Sequence, residues 1–261
     1  MDKKKIAISF SRSAEHYDEF ARLQKDLAKE LIETISTLKI EPAEILDIGT
    51  GTGGVAFLLG AKFKNSKIIG CDIAPGMIRR AIHNNSYENV SFEIADAENL
   101  PFADKKFDLV VSSTTFQWVE NIDKAFSEAK RVLKPGGHFA FITFGPKTLS
   151  ELKQNYKIAF GAEANYLHKF KNMREIRAAL KTTAFETLKL SSNTMREFYP
   201  DFRTFFKSLK GLGALNASTD LPKGLRSRSK MNALIKHYEA NSRIKDQVYA
   251  TFEVIRALCR A

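Results

Sequence analysis

Glycine and threonine alternate in a short loop that directly follows an apolar run. Residues 49–54 read Gly-Thr-Gly-Thr-Gly-Gly, in which Gly49, Gly51 and Gly54 satisfy the pattern GxGxxG. Glycines permit a tight turn, let a ligand approach the backbone and leave amide groups free at the start of the next helix. With Asp72 about twenty residues further on as a ribose ligand, the pattern also fits a dinucleotide-binding dehydrogenase. The loop alone therefore indicates a cofactor site without selecting the cofactor.

Acidic and polar side chains lie at the ends of several apolar runs. Asp47 stands inside the run before the glycines, where a carboxylate is costly unless it accepts hydrogen bonds or faces a cation. Asp72, Asp96 and Ser113 follow at the ends of later runs. Parallel sheets bind ligands at the carboxyl ends of their strands. We therefore predict that these side chains surround one ligand.

The elements that position these residues alternate between strand and helix. The pattern predicts strands over residues 45–48, 67–72, 90–94, 107–113 and 138–144, and helices over 55–59, 77–83 and 122–133. Before them, the first forty residues are predicted to be helical, with apolar residues at helical spacing over 13–38. After them, the pattern predicts a basic helical stretch over 146–185, a strand over 185–195, a helix over 202–209 and a closing strand over 247–258. Strand and helix in alternation with short connections are typical of a parallel α/β sheet.

Positive charge is concentrated in the second half of the chain. Residues 146–236 carry 18 Lys and Arg against 7 Asp and Glu, while the whole chain has a formal net charge of +11. Such a local excess predicts a docking surface for an acidic partner, with a solvated lysine-rich helical face as the alternative. We divide the chain into an N-terminal helical segment over the cofactor site (1–40), a cofactor-binding α/β core (41–145) and a basic helical cap with closing strands (146–261).

Composition excludes several classes of protein. A chain of 261 residues that is 44% hydrophobic and 27% charged is typical of one elaborated globular domain. No apolar run approaches the roughly 20 residues of a membrane span, and no apolar stretch follows the basic start as in a secretory signal. The two cysteines lie far apart, which predicts a reducing cytoplasm and no disulfide. The five histidines show no ligand spacing, so we expect no metal site.

Further motifs follow the glycine loop in a fixed order. They are the segment 95–102 (Ala-Asp-Ala-Glu-Asn-Leu-Pro-Phe), Phe107-Asp108-Leu109-Val110 and Leu133-Lys134-Pro135-Gly136-Gly137. Over residues 45–144 these pieces resemble the class I S-adenosylmethionine-dependent methyltransferases. The resemblance implies a Rossmann-like α/β fold with a mostly parallel seven-stranded sheet, helices on both faces and a basic helical cap insertion.

The same resemblance implies roles for individual residues toward S-adenosylmethionine. Gly49 and Gly51 would approach the methionine part of the cofactor. Asp72 would hold both ribose hydroxyls. Asp96 would accept a hydrogen bond from the adenine amino group. The other residues expected at the cofactor are Tyr17, Asp47, Ile73, Met77, Ala97 and Ser113, of which Ile73 and Met77 would be plain core residues in the alternative interpretation.

Three further segments narrow the resemblance. They are residues 9–24 (from Ser9-Phe10-Ser11 through Tyr17-Asp18 to Leu23-Gln24), Phe116-Gln117-Trp118, and residues 208–214 (Ser-Leu-Lys-Gly-Leu-Gly-Ala). Together they resemble the malonyl-acyl carrier protein O-methyltransferases of early biotin synthesis over nearly the whole chain. The resemblance implies methyl transfer to the free carboxylate of a malonyl thioester. That carboxylate, with a reference pKa near 4, is already ionised at neutral pH and needs no general base.

Substrate and partner residues follow from this expectation. Tyr17 would close over the cofactor, or would be an ordinary helix-core aromatic. Gln117 and Trp118 would lie where the substrate enters, Trp118 being a core residue in the alternative. Arg203 is our choice to pair with the malonyl carboxylate, because its fork is bidentate, ahead of Lys210 and of Lys169 near His168. An acidic acyl carrier protein would dock on the basic cap, with Lys153, Lys157, Lys171, Arg174, Arg177 and Lys181 as contacts.

Two other functions remain open at this stage. The same sheet would serve a methyltransferase for another small acid or a quinone-type substrate. The basic stretch could also bind phosphates in an RNA methyltransferase, although it has few interleaved aromatic residues for base stacking. We expect a cytoplasmic monomer that binds neither nucleic acid nor membrane.

Overall fold

The structure, a computed structural model, describes residues 2–161, 169–217 and 228–261. Its helices are α1 (Lys3–Ser13), α2 (Tyr17–Phe20), α3 (Arg22–Ser36), α4 (Gly54–Lys62), α5 (Pro75–Asn84), α6 (Ile122–Val132), α7 (Ser150–Phe160), α8 (Met173–Thr182), α9 (Phe202–Gly211), α10 (Ala214–Ala217) and α11 (Arg228–Asn241). Its strands are β1 (Glu44–Ile48), β2 (Lys67–Asp72), β3 (Val90–Ile94), β4 (Phe107–Ser113), β5 (Leu133–Phe144), β6 (Glu186–Tyr199), β7 (Arg243–Ile244) and β8 (Gln247–Arg260).

The strands form one sheet in the order β3-β2-β1-β4-β5-β8-β6. The first five strands run parallel, and β8 runs antiparallel to both β5 and β6. This confirms the predicted Rossmann-like α/β fold with a mostly parallel sheet. The two-residue strand β7 adds to the seven strands of this path by pairing with β8. Strand order reverses between β1 and β4, and a crevice for ligands forms at such a switch point.

Side chains of β1 alternate between two hydrophobic clusters because helices cover both faces of the sheet. Ile45 points into a cluster built with α3, α4, α7, α9 and α11. Leu46 points into the opposite cluster, which α6 and α8 build together with Phe139 and Phe141 of β5. Asp47 lies in the middle of this apolar strand, beside Gly70 and Val111 of the neighbouring strands. Its carboxylate therefore has mostly apolar surroundings.

The N-terminal segment is helical, as its apolar spacing predicts. The N-terminal segment forms three helices, and the first begins at Lys3, where the Asp2 carboxylate accepts hydrogen bonds from the amides of Lys4 and Lys5. Such an N-cap satisfies backbone donors that a helix start leaves free. Helical spacing continues across both breaks although the helices pack differently: α3 packs in the cluster with α4, α7 and α9, whereas Phe10 of α1 packs against Ala74 and Met77. Periodicity alone therefore concealed the turns between them.

The predicted basic helical stretch over 146–185 contains two helices, and they lie on opposite faces of the sheet. Leu152 and Tyr156 of α7 pack in the cluster with α3 and α9. Ile176 and Leu180 of α8 pack in the opposite cluster. Four of the six residues expected to contact a carrier protein lie on or beside α8 and are thereby separated from the cap, namely Lys171, Arg174, Arg177 and Lys181. We use "cap helices" below for α7, α9, α10 and α11.

The remaining predicted elements keep their type; β2, β3 and β4 also keep their predicted bounds, and the others shift at their ends. Strand β5 begins at Leu133, five positions before the predicted start, and α11 had no counterpart in the prediction. Within the described ranges, no helix has the length and apolar character needed to cross a membrane.

Candidate active site

A cavity of about 210 Å³ opens at the switch point of the sheet. The N-terminal helices, the glycine loop, the ends of β2 and β4, and the cap helices all contribute to its wall. Eight of the predicted site residues line it: Tyr17, Gly49, Gly51, Asp72, Ile73, Met77, Ser113 and Gln117. A second cavity of about 60 Å³ adjoins it, contains Asp96 and Ala97, and shares Gly49, Asp72 and Ile73 with the first. The structure thus brings most of the predicted set to one place.

The glycine loop combines close packing with open space. Gly49 and Gly51 have φ angles of +71° and +57°, which side chains with a Cβ rarely adopt. A Cβ on Gly49 would lie 2.1 Å from Oγ1 of Thr115, which donates a hydrogen bond to the Gly49 carbonyl. A Cβ on Gly51, in contrast, would meet nothing within 4 Å. Gly49 therefore lets two segments touch, whereas Gly51 leaves room beside the cavity.

Asp72 joins the glycine loop to the start of α5. Its Oδ2 accepts a hydrogen bond from the Gly51 amide at 3.0 Å, and its Oδ1 accepts one from the Ala74 amide at 2.8 Å. Burial raises the pKa of Asp72, and these two amides lower it in part. The side chain borders both cavities. Each oxygen keeps a lone pair, so the fixed carboxylate can accept hydrogen bonds from two neighbouring hydroxyl groups.

Asp47 is a buried carboxylate behind the loop. Neither of its oxygens has a hydrogen-bond partner among the described residues, and it does not itself line either cavity. Burial raises the pKa of Asp47 to about 7, and the negative charge of Asp72 adds to the rise. The hydroxyls of Thr50 and Ser113, which do line the larger cavity, are also without a partner. These unpaired groups suit a polar, positively charged ligand.

Helix α1 covers both cavities. Its Ile6 lines both, and its Phe10 lines the larger one. The helix sits directly on α5, because the Gly76 amide donates a hydrogen bond to Oγ of Ser11 at 3.0 Å. A Cβ on Gly76 would lie 2.5 Å from the Ser11 carbonyl oxygen, so only glycine permits this approach. The N-terminal helix is therefore part of the wall of the site.

The segment 208–214 supports the N-terminal helices from the other side. A Cβ on Gly211 would lie 2.2 Å from the ring of Phe20. Gly213 has a φ of +77°, and its carbonyl accepts a hydrogen bond from Oγ of Ser9 at 2.8 Å. The two glycines of this segment thus let the cap touch α1 and α2 closely. The segments 9–24 and 208–214, which are far apart in the sequence, therefore contact each other in the fold.

Tyr17 lies between α1 and α5. It packs with Phe10 against the buried side chains of Ala74 and Met77. Burial raises the pKa of Tyr17, and the negative charges of Asp72 and Asp18 raise it further. The phenol therefore stays protonated and can donate a hydrogen bond into the cavity. Met77 belongs both to this cluster and to the cavity wall, so the core and ligand interpretations of Met77 are compatible.

Asp96 is linked to α1 by an ion pair that the sequence did not reveal. Nζ of Lys3 lies 2.7 Å from Oδ2 of Asp96 and 3.0 Å from Oε2 of Glu98. Oδ1 of Asp96 accepts a hydrogen bond from the Glu98 amide at 2.9 Å. Both carboxylate oxygens are thus engaged and retain lone pairs toward the smaller cavity. No motif of the sequence could have identified Lys3, because three lysines stand in a row there.

Gln117 is fixed at both ends of its side chain. Nε2 donates to the Thr114 carbonyl at 2.5 Å, and Oε1 accepts from Oγ1 of Thr143 at 3.0 Å. The neighbouring Trp118 packs edge-on against Phe10, with 5.3 Å between ring centroids. The side chain of Gln117 is therefore held in place beside the cavity, and Trp118, packed against α1, lines both cavities.

Arg203 does not reach the site. Phe202 and Phe205 occupy the inner face of α9, which leaves Arg203 exposed on the outside and away from both cavities. The geometry consequently gives Arg203 no contact with a carboxylate bound there. The alternatives Lys169 and Lys210 are likewise exposed and line neither cavity, and His168 lies outside the described residues. The sequence missed Gln24 and Lys25 of α3, which do line the larger cavity.

The sheet order, the positive-φ glycine loop and the acids after β2 and β3 define a class I methyltransferase. A family described as methyltransferase domain matches residues 46–141. The fold is shared with the YcgJ protein of Bacillus subtilis (TM-score 0.61, 18% identity, 88% of this chain and 97% of that one). It is also shared with phosphoethanolamine N-methyltransferase 2 of Haemonchus contortus bound to S-adenosyl-L-methionine (TM-score 0.54, 23% identity, 88% and 52%).

Full-length relatives identify the family more closely. The chain is 37% identical to malonyl-acyl carrier protein O-methyltransferase of Geobacter sulfurreducens, over 98% of this chain and 97% of that one. It is 36% identical to the protein of the same name from Methylococcus capsulatus, over 98% and 93%. It also matches 43% of the biotin biosynthesis bifunctional protein BioHC of Teredinibacter turnerae at 34% identity. The chain belongs to the malonyl-acyl carrier protein O-methyltransferase family.

Proposed function

We propose that the protein transfers a methyl group from S-adenosylmethionine to the free carboxylate of malonyl-acyl carrier protein, giving the methyl ester that primes biotin synthesis in the cytoplasm. The observation that carries the proposal is the full-length similarity to relatives of that name, together with two adjoining cavities at the switch point that are lined by Asp72 and Asp96. Among the described residues, no group of His, Cys, Asp and Glu could hold a metal ion.

The residues at the two cavities fit S-adenosylmethionine. When bound, this cofactor supplies an electrophilic methyl group on a positively charged sulfur. Asp72 would accept from the ribose hydroxyls, and Asp96 with Ile73 and Ala97 would surround the adenine. A cationic ligand would favour the ionised form of the buried Asp47 carboxyl group behind the loop, and the open space at Gly51 would give that ligand room. Phosphates of a dinucleotide would instead meet carboxylates, with no cation in the loop itself.

The reaction would require positioning and not proton transfer. One oxygen of the malonyl carboxylate forms a bond to the methyl carbon, the carbon–sulfur bond breaks, and its electron pair goes to sulfur. No proton moves, because the carboxylate is ionised at neutral pH. The protein's part would be to align the reactants and exclude water. Tyr17 and the apolar residues of α1 and the cap helices would provide that enclosure.

The structure changes the expected docking surface. On α9, Arg203, Lys207 and Lys210 follow one another at intervals of four and three residues, so they share one exposed stripe. Leu209 and Leu212, on the other side of the same helix turn, line the cavity. A helix is about 10 Å thick. An acidic carrier protein on this stripe would therefore sit one helix diameter from the cavity, within reach of a long thioester arm.

The first experiment is mass spectrometry of malonyl-acyl carrier protein after incubation with the protein and S-adenosylmethionine. We expect a mass gain of one methyl group, no gain with Asp72→Ala, and a normal gain with Asp246→Ala, an exposed acid on the β7–β8 turn. No gain with the parent protein, despite cofactor binding, would refute the substrate. Parallel incubations with free small acids and with RNA test the two other functions.

A second experiment tests the docking surface. We expect the double variant Arg203→Glu, Lys207→Glu to lower kcat/KM for the carrier-protein substrate about tenfold at low salt, because steering depends on charge. Turnover of malonyl-coenzyme A should stay unchanged. The matched control is Arg174→Glu with Arg177→Glu on α8, which reverses equal charge on the opposite face. Equal effects of the two double variants would contradict docking at α9.

A further inference from the structure

The uncharged amide of Gln24 is a buried polar group that the described residues leave unused. Gln24 lies near the start of α3 and lines the larger cavity. Its Oε1 is buried without a hydrogen-bond partner. A buried polar atom in this state costs roughly as much as a lost hydrogen bond, so it indicates a partner that arrives from outside the chain.

The surroundings of Gln24 point to the substrate and not to the cofactor. Ala21, which directly precedes α3, and Ala28 of α3 also line the cavity, three residues before and four residues after Gln24. This part of the wall continues with apolar residues of the strand ends and the cap, namely Phe144, Leu149, Leu209, Leu215 and Phe252.

Other polar side chains in this region already have partners. Both ends of Gln117 are engaged, as described above. The Thr148 hydroxyl donates to the Glu253 carbonyl and accepts from the Glu253 amide. Nζ of Lys25 donates to the Asp18 carbonyl at 2.7 Å, and Lys25 is exposed. In this part of the wall, as far as the structure describes it, Gln24 is the uncharged side chain with an unpartnered buried atom, its amide oxygen, while the unpaired hydroxyls of Thr50 and Ser113 belong to the glycine loop and the end of β4.

We propose that Gln24 binds the substrate carboxylate and orients it for methyl transfer. This inference rests on the proposed function. Rotation of the amide by half a turn exchanges its oxygen and nitrogen, which places two N–H donors at the buried position. One donor binds one carboxylate oxygen, and the other oxygen keeps its lone pair free to attack. Because the amide is neutral, it orients the carboxylate without forming an ion pair, which would lower the nucleophilicity of the attacking oxygen.

The test compares Gln24→Leu and Gln24→Glu with the parent protein on a malonyl thioester. We expect Gln24→Leu to lower kcat/KM about 10- to 100-fold, as for loss of a hydrogen bond to a charged group. The Kd for S-adenosylhomocysteine should stay within twofold. Lys29→Leu, an exposed position on the same helix, is the matched control and should change neither value.

The pH profile separates binding from a structural role. Gln24→Glu places a carboxylate against the substrate carboxylate, so we expect a larger loss at pH 8 than with Gln24→Leu. Activity should recover partly toward pH 6, where the introduced acid gains a proton and can donate it. Unchanged turnover of Gln24→Leu, or equal loss of cofactor affinity and turnover, would overturn the role of Gln24. Absence of turnover in the parent protein would instead overturn the proposed function.

Discussion

The substitution Gly76→Ala should detach α1 from the cofactor site while the rest of the fold persists. An added Cβ would lie 2.5 Å from the carbonyl oxygen and 2.6 Å from Cα of Ser11. These are backbone atoms, so no side-chain rotation relieves the contact, and α1 must retreat by about 1 Å to restore a normal distance. Overpacking of this kind costs about 1–3 kcal/mol, whereas alanine gains up to about 1 kcal/mol over glycine in a helix.

The contact would be relieved at α1 because α1 is the less firmly held helix. It buries only Ile6 and Ser9, whereas α5 buries Gly76 and three further residues. Retreat of α1 removes Ile6 and Phe10 from the cavity wall. Partial loss of two apolar contacts corresponds to about 1–3 kcal/mol of binding free energy. The Kd for S-adenosylhomocysteine should therefore rise about 10- to 100-fold, with the melting temperature of the unliganded protein nearly unchanged.

Calorimetric titration gives the Kd, and limited trypsin digestion reports the position of α1. Lys3, Lys4 and Lys5 are trypsin sites within this helix, so its release should speed cleavage near the N-terminus. Arg79→Ala, an exposed position of α5, is the control and should resemble the parent protein. If Gly76→Ala keeps both the parent Kd and the parent cleavage rate, α1 does not form part of the cofactor site.

Three further predictions concern the cofactor cavities. The carboxyl group of Asp47, with a pKa raised to about 7, stabilises the fold below pH 4 and loses this contribution as the pH rises through 7. In urea unfolding without cofactor, the free energy of unfolding of Asp47→Asn should therefore rise by about 2 kcal/mol relative to that of the parent between pH 5 and pH 8. The same pH dependence of unfolding for both proteins would contradict this. Lys3→Met should weaken S-adenosylhomocysteine binding, but by no more than about 1 kcal/mol, because the ion pair of Lys3 with Asp96 is partly exposed. The control Lys4→Met, at an exposed position, should leave binding unchanged. Gly49→Ala should abolish binding through its clash with Thr115, and measurable binding by calorimetry would show that the loop can yield.

The sequence predicted the parts of the fold where local and long-range patterns agree. Strands β2, β3 and β4 have the predicted bounds, because apolar runs there end at turns with clear residue preferences. The N-terminal segment was predicted to be helical but its division into three helices was not, since helical spacing persists through turns that lack glycine or proline. Helix α11 was missed because its apolar residues are few, and only Leu234 and Tyr238 are buried. Such a helix is held by its neighbours and not by its own pattern.

The residues of the candidate site were likewise predicted only in part from the sequence. The glycine loop, Asp72 and Asp96 could be found because strand ends fix where such residues lie. Arg203 was chosen for its chemistry, but the direction of its side chain depends on which face of α9 packs inward. Gln24 ends the segment 9–24 that carries the resemblance, but its proposed role emerges only from the unpartnered amide oxygen in the folded structure. The spacing of residues in the sequence thus locates groups at strand ends and in loops better than side chains whose direction depends on how a helix packs.

The position of β8 constrains the order in which the chain can fold. Strand β6 ends at Tyr199 and pairs with β8, which begins only at Gln247. During synthesis, β6 therefore emerges with both edges unpaired and waits until the cap helices that follow it have been made. Unpaired strand edges promote association between chains, and pairings distant in sequence form slowly. The cap helices α9, α10 and α11 are thus translated before β8, and the nascent protein passes through a stage in which aggregation competes with completion of the sheet.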